Sequence, residues 1–243
     1  KKPSKPEQPS APSDTTTGAL EGKPAAASGH IIALDPGHGG PWSGAVAPSN
    51  GIRECDINLK VALRVKALLE SAGSTVVLTR DSDKVLDESS LAADLAARPA
   101  FARKAGASIF VSIHHNSDGM ASPRDDLEVF YKMGEDGPSM DLAQCLTWEL
   151  ARQLRQDAQA KSLFPGNYKV LRESNVASVL LESFYLTDQK SAQFLASDQG
   201  IEKEARAIAA GIMDYLATKP PRVLEGHLTD EGPGGVQKLT LRM

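Results

Sequence analysis

The sequence predicts an α/β fold: a single domain with a mostly parallel (mixed), twisted sheet of about six strands and helices on both faces. Two observations predict it. Short apolar runs alternate along the chain with stretches in which apolar residues recur at spacings of three and four, the period of a helix that faces a core. Strands that alternate with helices pair in a mostly parallel sheet that is covered on both sides. The hydrophobic content of 41% is sufficient for such a core.

Six segments are predicted as strands and five as helices. The predicted strands cover 30–35, 75–79, 107–113, 127–132, 168–171 and 178–182, and the predicted helices cover 54–72, 90–105, 139–160, 188–197 and 201–217. Ile57, Val61, Val65 and Leu68 mark the first helix, and Gly73 suits its C-terminus. The carboxyl ends of parallel strands meet at one edge of the sheet, and active groups gather there in such folds.

The composition changes at both ends of the chain. Residues 1–29 are rich in Pro, Ser, Thr, Ala and Gly, so they bury too little apolar surface to offset the entropy of ordering. We predict a flexible tail or linker over 1–29, a folded domain over 30–218 and a C-terminal extension over 219–243. Within the extension, the weak alternation of 236–243 is compatible with an added edge strand, a docked segment or a loose end.

Charge and hydropathy exclude several classes of protein. The formal net charge of −4 does not provide the basic surface that nucleic-acid binding needs, so we expect no nucleic-acid partner. No apolar stretch reaches the roughly 18–20 residues that span a bilayer, so no membrane span is predicted. The two cysteines, Cys55 and Cys145, are far apart and form no CxxC motif, and Cys145 is best explained as a small core residue.

Two histidines stand where predicted strands end. His38 lies in a glycine-rich turn after the run 31–35, and His114 follows the apolar run 109–113. Zinc binds His nitrogen and carboxylate oxygen, and a catalytic zinc site keeps one position open beside three protein ligands. The alternative is that both histidines are hydrogen-bonded residues at strand ends. The repeated placement, and glycines that permit close approach of the backbone at His38, favour a metal site.

Glu54 is the best candidate for a third ligand, because it follows a Gly-containing loop and begins the first predicted helix. Asn58 lies four residues later on the same helix face and is suited to orient Glu54. Spacing alone leaves open the alternative that Glu54 only complements the helix N-terminus.

Successive residues of an extended segment point to opposite sides. We therefore do not expect His115 to share the metal with His114, and we interpret His115 as a wall of the cleft or a solvated neighbour.

Glu182 ends the last apolar run, 177–181, and would reach the same edge of the sheet as the two histidines. A carboxylate at the end of an apolar strand is costly to bury without a partner or a task. Hydrolysis at zinc needs a general base for the attacking water, and Glu182 is our candidate. The alternative is a surface glutamate where the strand emerges. Glu128 has a similar setting at a predicted strand start, and we assign it a structural or substrate-edge role.

Four motifs in this order resemble the zinc-dependent N-acetylmuramoyl-L-alanine amidases of the amidase 3 type. They are Asp-Pro-Gly-His-Gly-Gly at 35–40 with Gly-Ala at 44–45, Glu-Cys-Asp-Ile-Asn-Leu at 54–59, Ser-Ile-His-His-Asn at 112–116 and Val-Leu-Leu-Glu at 179–182. Arg80 and Arg98 also fit the family pattern. Because four motifs occur in the right order and spacing over residues 30–218, the resemblance is far more specific than any one motif.

The resemblance implies one Zn²⁺ per chain, bound by His38, Glu54 and His114, with Glu182 as the catalytic residue of the domain over 30–218. It implies hydrolysis of the amide bond between the lactyl group of N-acetylmuramic acid and L-alanine of the peptidoglycan stem peptide. It also implies an exported, cell-wall-associated protein in the periplasm or outside the cell. The chain departs from the family at Trp42, where an Asp is usual, and at His115, where a small residue is common.

Some family members carry a long helical insertion that blocks the site until a partner removes it. Between Tyr131 and Val170 this chain has room for one ordinary helix and a Gly/Pro loop over 164–167. We therefore expect an open site, no obligatory activator and a monomer.

Two other functions remain as alternatives. Another zinc peptidase acting within stem peptides would share the ligand set, whereas a wall-binding module without turnover would require a lost ligand or base, and none is missing.

Overall fold

Six strands form the central sheet of this computed structural model, which describes residues 29–135, 137–154, 163–217, 225–229 and 238–242. The strands are β1 (Ile31–Pro36), β2 (Thr75–Leu78), β3 (Ile109–Asn116), β4 (Glu128–Lys132), β5 (Leu163–Gly166) and β6 (Ala177–Tyr185). Their order across the sheet is β2-β1-β3-β6-β4-β5. The first four of these run parallel to one another, whereas β4 is antiparallel to β6, and β5 is parallel to β4.

Helices cover both faces of this sheet. They are α1 (Glu54–Ser71), α2 (Leu91–Lys104), α3 (Pro138–Leu154), α4 (Lys169–Arg172), α5 (Gln189–Leu195) and α6 (Asp198–Leu216). The larger core cluster joins α1, α3, α5 and α6 to alternate strand residues such as Val111 and Leu181. The smaller cluster joins α2 and α4 to the opposite face, where Phe110 and Leu180 lie. The predicted fold class, a mostly parallel mixed sheet with helices on both faces, is confirmed.

The strand predicted over 168–171 is wrong. Most of this segment belongs to α4, in which Val170 and Leu171 are adjacent and both buried. The strand that was not predicted is β5, which overlaps the segment predicted as a Gly/Pro loop over 164–167. In the sheet order β5 lies at the edge, where a strand tolerates Pro165. The strand exists because β4 offers a pairing partner, and the local sequence does not reveal that partner.

The ends of other predicted segments shift or fall outside the described residues. The structure describes the helix predicted over 139–160 as Pro138–Leu154, and positions 155–160 lie outside the described residues, as does the predicted tail over 1–29 apart from Gly29. In the predicted extension over 219–243, β7 (Glu225–Thr229) and β8 (Lys238–Arg242) pair antiparallel in a sheet of their own, so β8 is not an edge strand of the central sheet. The domain limits stay predictions. Within the described ranges, no helix has both the length and the apolar character to cross a membrane.

Replacement of Leu69 by alanine tests the packing of α1 on the sheet. Leu69 is fully buried, whereas Leu63 on the same helix is 42% exposed. Leu69→Ala removes buried methyl groups and leaves a cavity, so we expect it to lower the free energy of unfolding by about 2–5 kcal/mol. Leu63→Ala should change it by less than about 0.5 kcal/mol. Urea denaturation measures both values, and equal losses would contradict this orientation of α1.

Candidate active site

The connection from β1 to α1 places His38 at the carboxyl edge of the sheet. His38 has a φ of 61°, in the left-handed region, which costs a residue with a Cβ about 1–2 kcal/mol. The N–H of Gly37 donates to the carbonyl of Ile113 on β3 at 2.9 Å, and Gly39 and Trp42 exchange two backbone hydrogen bonds of 2.9 and 3.1 Å. These bonds keep the turn that carries the imidazole against the end of β3.

Two buried arginines hold the carbonyl groups of this turn. Arg80 donates to the carbonyls of Pro36 at 2.8 Å and Gly37 at 2.9 Å. Arg98 donates to the carbonyls of Pro36 at 3.1 Å and His38 at 3.0 Å. The N–H groups of a guanidinium have a rigid, forked arrangement, so each arginine fixes more than one carbonyl. The backbone at His38 is therefore held in its strained conformation by side chains from β2's end and from α2.

The charge of Arg98 is balanced by two buried carboxylates. Arg98 lies 2.9 Å from Asp35 and 2.7 Å from Asp94, and all three side chains are at most 3% exposed. The hydroxyls of Thr79 and Ser112 donate to Asp35 at 2.6 and 2.8 Å. Burial alone would raise the pKa of Asp35, but the charge of Arg98 and these hydroxyls outweigh it and hold the pKa below its usual value. Each of the three buried side chains thus has a partner in the network.

Glu54, at the first position of α1, faces both predicted histidine ligands. Its Oε1 lies 3.1 Å from Nε2 of His38 and 2.9 Å from Nδ1 of His114. One potential ligand atom from each residue lies within 4.8 Å of the other two. Donor atoms that share a tetrahedral zinc at about 2.0–2.2 Å lie about 3.3–3.6 Å apart. The distances of 3.1 and 2.9 Å from Oε1 of Glu54 to the two ring nitrogens are close to this separation, so the three side chains can converge on a single zinc ion.

Two glycines make the room for this cluster. A Cβ at Gly37 would lie 2.1 Å from Cε1 of His114. A Cβ at Gly44, whose φ is 70°, would lie 2.3 Å from Oε2 of Glu54. No other residue fits either position without displacing a predicted ligand. Glycine is therefore needed at positions 37 and 44, because the backbone there passes close to the side chains of His114 and Glu54.

The protonation states suit a metal. Burial alone would raise the pKa of Glu54, but hydrogen bonds and charges from His114 and His38 outweigh it and hold the pKa well below its usual range. Burial lowers the pKa of His114, although Glu54 opposes the effect. Metal ligands must be an ionised carboxylate and a neutral imidazole. The cluster offers both, and this set of nitrogen and oxygen donors is one that zinc accepts.

Asn58 lies beside Glu54, but the prediction for His115 is wrong. Nδ2 of Asn58 is 3.4 Å from Oε1 of Glu54. His115 is neither a wall of the cleft nor solvated, because it is 1% exposed. Its ring contacts Asn58 at 2.7 Å and Glu204 of α6 at 3.1 Å. The alternation of side chains along β3 sends His114 to the cluster and His115 into the core on the other face.

Glu182 lies beside His114 in the sheet. His114 on β3 and Glu128 on β4 are its register partners on either side, and paired residues project from the same face. Oε2 of Glu182 is shielded from solvent and has no hydrogen-bond partner among the described residues. Burial, together with the negative charges of Glu54 and Glu128, raises the pKa of Glu182 well above its usual value. Such a carboxyl group is suited to take up and release a proton.

Glu128 begins β4, as predicted, and is held as a hydrogen-bond acceptor. Asn116 donates to it at 2.9 Å, Arg124 at 3.0 Å and the hydroxyl of Tyr185 at 3.2 Å. These three donors stabilise its charge. Its position directly across from Glu182 was not predicted, because strand pairing between β4 and β6 cannot be deduced from the local pattern.

Sequence reasoning also missed several supporting residues. Arg80 and Arg98 were noted only because they fit a family pattern, and their contacts with the turn carbonyls were not foreseen. Asp35 and Glu204 were assigned no role. Asp35 and Arg80 stand at the ends of apolar segments, and Glu204 is spaced three and four residues from Ile201 and Ile208 on the apolar face of its helix, and this was the available signal. This signal indicates that each charged residue has a buried partner, but it does not show which residue that partner is.

A carboxylate and two imidazoles around one point, with a further carboxyl group beside them at the carboxyl edge of an α/β sheet, are typical of metal-dependent hydrolases. The particular family follows from comparison with known proteins. The family model described as N-acetylmuramoyl-L-alanine amidase matches residues 32–214. The chain belongs to this family, as its motifs predict, and it is a hydrolase that acts on peptidoglycan.

Named relatives agree with this assignment. The germination-specific N-acetylmuramoyl-L-alanine amidase of Bacillus subtilis (strain 168) is 30% identical over 203 residues, which cover 80% of this chain and 84% of that protein. The structure of the amidase AmiC2 of Nostoc punctiforme matches with a TM-score of 0.68 and 33% identity, covering 79% of this chain and 99% of that one. The CwlD amidase from Clostridioides difficile, solved in complex with the GerS lipoprotein, matches with a TM-score of 0.71 and 31% identity, covering 77% and 98%.

Replacement of Arg98 by methionine tests the network under the His38 turn. Arg98→Met leaves Asp35 and Asp94 buried without their cation, so we expect it to lower the free energy of unfolding by about 3–5 kcal/mol. The matched control is Arg64→Met, which breaks an ion pair with Glu202 at the surface and should cost about 0–1 kcal/mol. Urea denaturation at neutral pH measures both. Losses of similar size would show that Arg98 is not needed to neutralise its partners.

Replacement of Glu182 by glutamine tests its raised pKa. Between the ordinary carboxyl value of 4.5 and the raised value, the folded chain binds more protons than the unfolded chain. Glu182 therefore costs stability progressively as the pH rises through this window. In chelator-treated protein, Glu182→Gln should raise the free energy of unfolding more at about pH 7 than at about pH 4.

The control for this measurement is Glu202→Gln. The hydrogen bond from Arg64 is the main reason that the pKa of Glu202 is lowered, so its ionised form contributes stability above the ordinary value. Its replacement should lower the stability at neutral pH and not raise it. A gain from Glu182→Gln that is independent of pH would contradict the shift.

Proposed function

We propose that His38, Glu54 and His114 bind one Zn²⁺ and that Glu182 is the catalytic residue of an N-acetylmuramoyl-L-alanine amidase. The observation that carries this proposal is the convergence of three ligand atoms within 4.8 Å of one another. The partnerless Oε2 of Glu182 supports it, because Glu182 stands next to His114 in the sheet register. The family supports zinc as the metal, since its members are generally zinc-dependent.

The cluster is reachable from solvent, as a catalytic site requires. The side chain of His38 is 30% exposed and that of His114 is 15% exposed, whereas that of Glu54 is 6% exposed. A catalytic zinc site keeps one coordination position open for water or substrate. The two partly exposed imidazoles would hold the ion where water or substrate can reach it.

The substrate of the proposed reaction is the amide that joins the lactyl group of N-acetylmuramic acid to L-alanine. A bound zinc ion supplies Lewis-acid polarisation of the scissile carbonyl and of a water molecule. Glu182 accepts a proton from the water as the water oxygen bonds to the carbonyl carbon. Glu182 then donates this proton to the amide nitrogen, the C–N bond breaks, and the stem peptide leaves with a free amino group on L-alanine. Its raised pKa suits both transfers.

We also propose that the chain is exported to the periplasm or the cell exterior, where its substrate lies, and that it needs no activator. The helix α3 packs on β4, β6 and α6, on the face opposite Glu182, so it does not cover the cluster. A related amidase has been solved in complex with the GerS lipoprotein, so partner binding does occur in the family. Activity of the chain alone is therefore the decisive measurement.

Digestion of purified peptidoglycan by the chain alone tests the proposed function. We expect one zinc per chain and release of intact stem peptides with a free N-terminal L-alanine, detected by mass spectrometry. His38→Ala should lose both zinc and activity. Glu182→Ala should retain zinc, while its turnover falls by about 100-fold or more because general acid–base catalysis is lost. Activity should disappear with a chelator and return with Zn²⁺.

Each alternative has its own outcome. Cleavage within the stem peptide would identify a peptidase of the same ligand set. Binding to peptidoglycan without any product would identify a wall-binding module. Activity that appears only after addition of a partner would contradict the open site, and near-normal rates in Glu182→Ala would contradict the assigned base. Glu88→Ala, at an exposed position on the chain, is a control that should leave zinc and turnover unchanged.

A further inference from the structure

A continuous chain of hydrogen bonds runs from α6 through the core to Glu54. Oε2 of Glu204 contacts Nε2 of His115 at 3.1 Å, and Nδ1 of His115 contacts Oδ1 of Asn58 at 2.7 Å. The side chains of His115 and Glu204 are both fully buried. Asn58 then reaches Oε1 of Glu54 at 3.4 Å. The chain thus joins a helix on one face of the sheet to a predicted metal ligand at its edge.

The direction of these bonds follows from the donors that each group possesses. Nδ2 of Asn58 faces two acceptors, the carbonyl of Gly37 at 3.1 Å and Oε1 of Glu54. The amide oxygen of Asn58 therefore faces His115, whose Nδ1 must donate. The other ring nitrogen of His115 lies 3.1 Å from a carboxylate oxygen of Glu204. This arrangement leaves the amide of Asn58 with one orientation.

His115 also acts on Glu54 through its backbone. The N–H of His115 lies 3.3 Å from Oε1 of Glu54, the same atom that Asn58 approaches. Oε1 is also the oxygen that faces both His38 and His114. The oxygen that would bind the metal is therefore approached by two donors, the side-chain amide of Asn58 and the N–H of His115. The position of His115 sets both, because its ring also contacts Asn58.

Packing alone does not explain the pair of His115 and Glu204. The ring of His115 stacks on Phe184 with 6.4 Å between centroids, and Glu204 lies on α6 among buried apolar residues such as Ile208. Oε1 of Glu204 has no hydrogen-bond partner among the described residues. Apolar side chains of similar volume often replace such a buried pair without loss of stability. A polar pair with an unsatisfied oxygen is therefore expected to serve another purpose.

We propose that His115 and Glu204 are positioning residues of the metal centre, which hold the amide of Asn58 and, through it, Glu54. The proposal rests on the zinc site described above. Residues that orient metal ligands typically contribute about 10- to 100-fold to metal affinity. Because Glu204 acts on Glu54 through two intervening side chains, we expect its loss to weaken zinc binding by about tenfold, the lower end of this range.

Zinc affinity, measured by competition with a chromophoric chelator, tests the proposal in the full chain. Glu204→Leu removes the acceptor for His115 and should weaken zinc binding about tenfold. Glu204→Gln keeps an oxygen that can accept from His115, so its affinity should lie within about threefold of the wild type. His115→Ala removes the link to Asn58 and should weaken binding at least as much as Glu204→Leu.

Two controls separate positioning from stability. Leu69→Ala destabilises the fold without touching the chain of bonds, and it should bind zinc as the wild type does while the protein is folded. Glu202→Leu removes a charge from the same helix as Glu204, at a partly exposed position, and should also leave zinc affinity unchanged. If Glu204→Leu does not fold, the double variant His115→Ala with Glu204→Leu, which removes both members of the buried pair, replaces it and should show the same tenfold loss.

The outcomes distinguish this proposal from the proposed function. Wild-type affinity in folded Glu204→Leu or in the double variant, with zinc bound by the wild type, would overturn the positioning role alone. A wild-type chain that binds no zinc would overturn the metal centre and the positioning role together. An equal loss in Glu204→Gln and Glu204→Leu would also contradict the proposal, because the accepting oxygen would then not be the relevant feature.

Discussion

The ion pair between Asp35 and Arg98 is the constraint on which the site depends. Arg98 can hold the carbonyls of Pro36 and His38 only because Asp35 and Asp94 neutralise it away from water. The turn after β1 contains His38 in its left-handed conformation. The segment that follows this turn connects it to Glu54 at the start of α1. A buried guanidinium resists movement because its hydrogen bonds cannot be replaced by water. Buried charges thus hold the turn that carries His38 in place.

The carboxyl edge of the sheet concentrates negative charge. Glu54, Glu128 and Glu182 approach one another there, and among the described residues Glu54 and Glu128 accept hydrogen bonds, whereas Oε2 of Glu182 has no partner. The unpaired oxygen of Glu182 is unfavourable for folding, yet a carboxyl group with a raised pKa is the group that proton transfer needs. A divalent cation beside it would relieve the repulsion. The local cost to stability and the proposed chemistry therefore have the same origin.

Adjacent residues of β3 have different tasks because the strand presents them to opposite faces of the sheet. His114 turns to the cluster, whereas His115 turns to α6 and holds Asn58. Both imidazoles nevertheless reach Glu54, one directly and one through an amide. Glu54 on α1 is in this way connected to β3 and to α6, which limits how far it can move.

The sequence by itself determined the α/β class, most helices and strands and, through the family resemblance, the candidate set of His38, Glu54, His114 and Glu182, because hydrophobic periodicity and sequence motifs are local properties. Only the tertiary structure decided the rest. β5 needs β4 as a partner, so the local pattern at 164–167 predicts a Gly/Pro loop. Glu128 stands opposite Glu182 because of strand register, and His115 meets Glu204 across a long sequence separation. Burial and pairing between distant segments set these contacts, and no local pattern contains them.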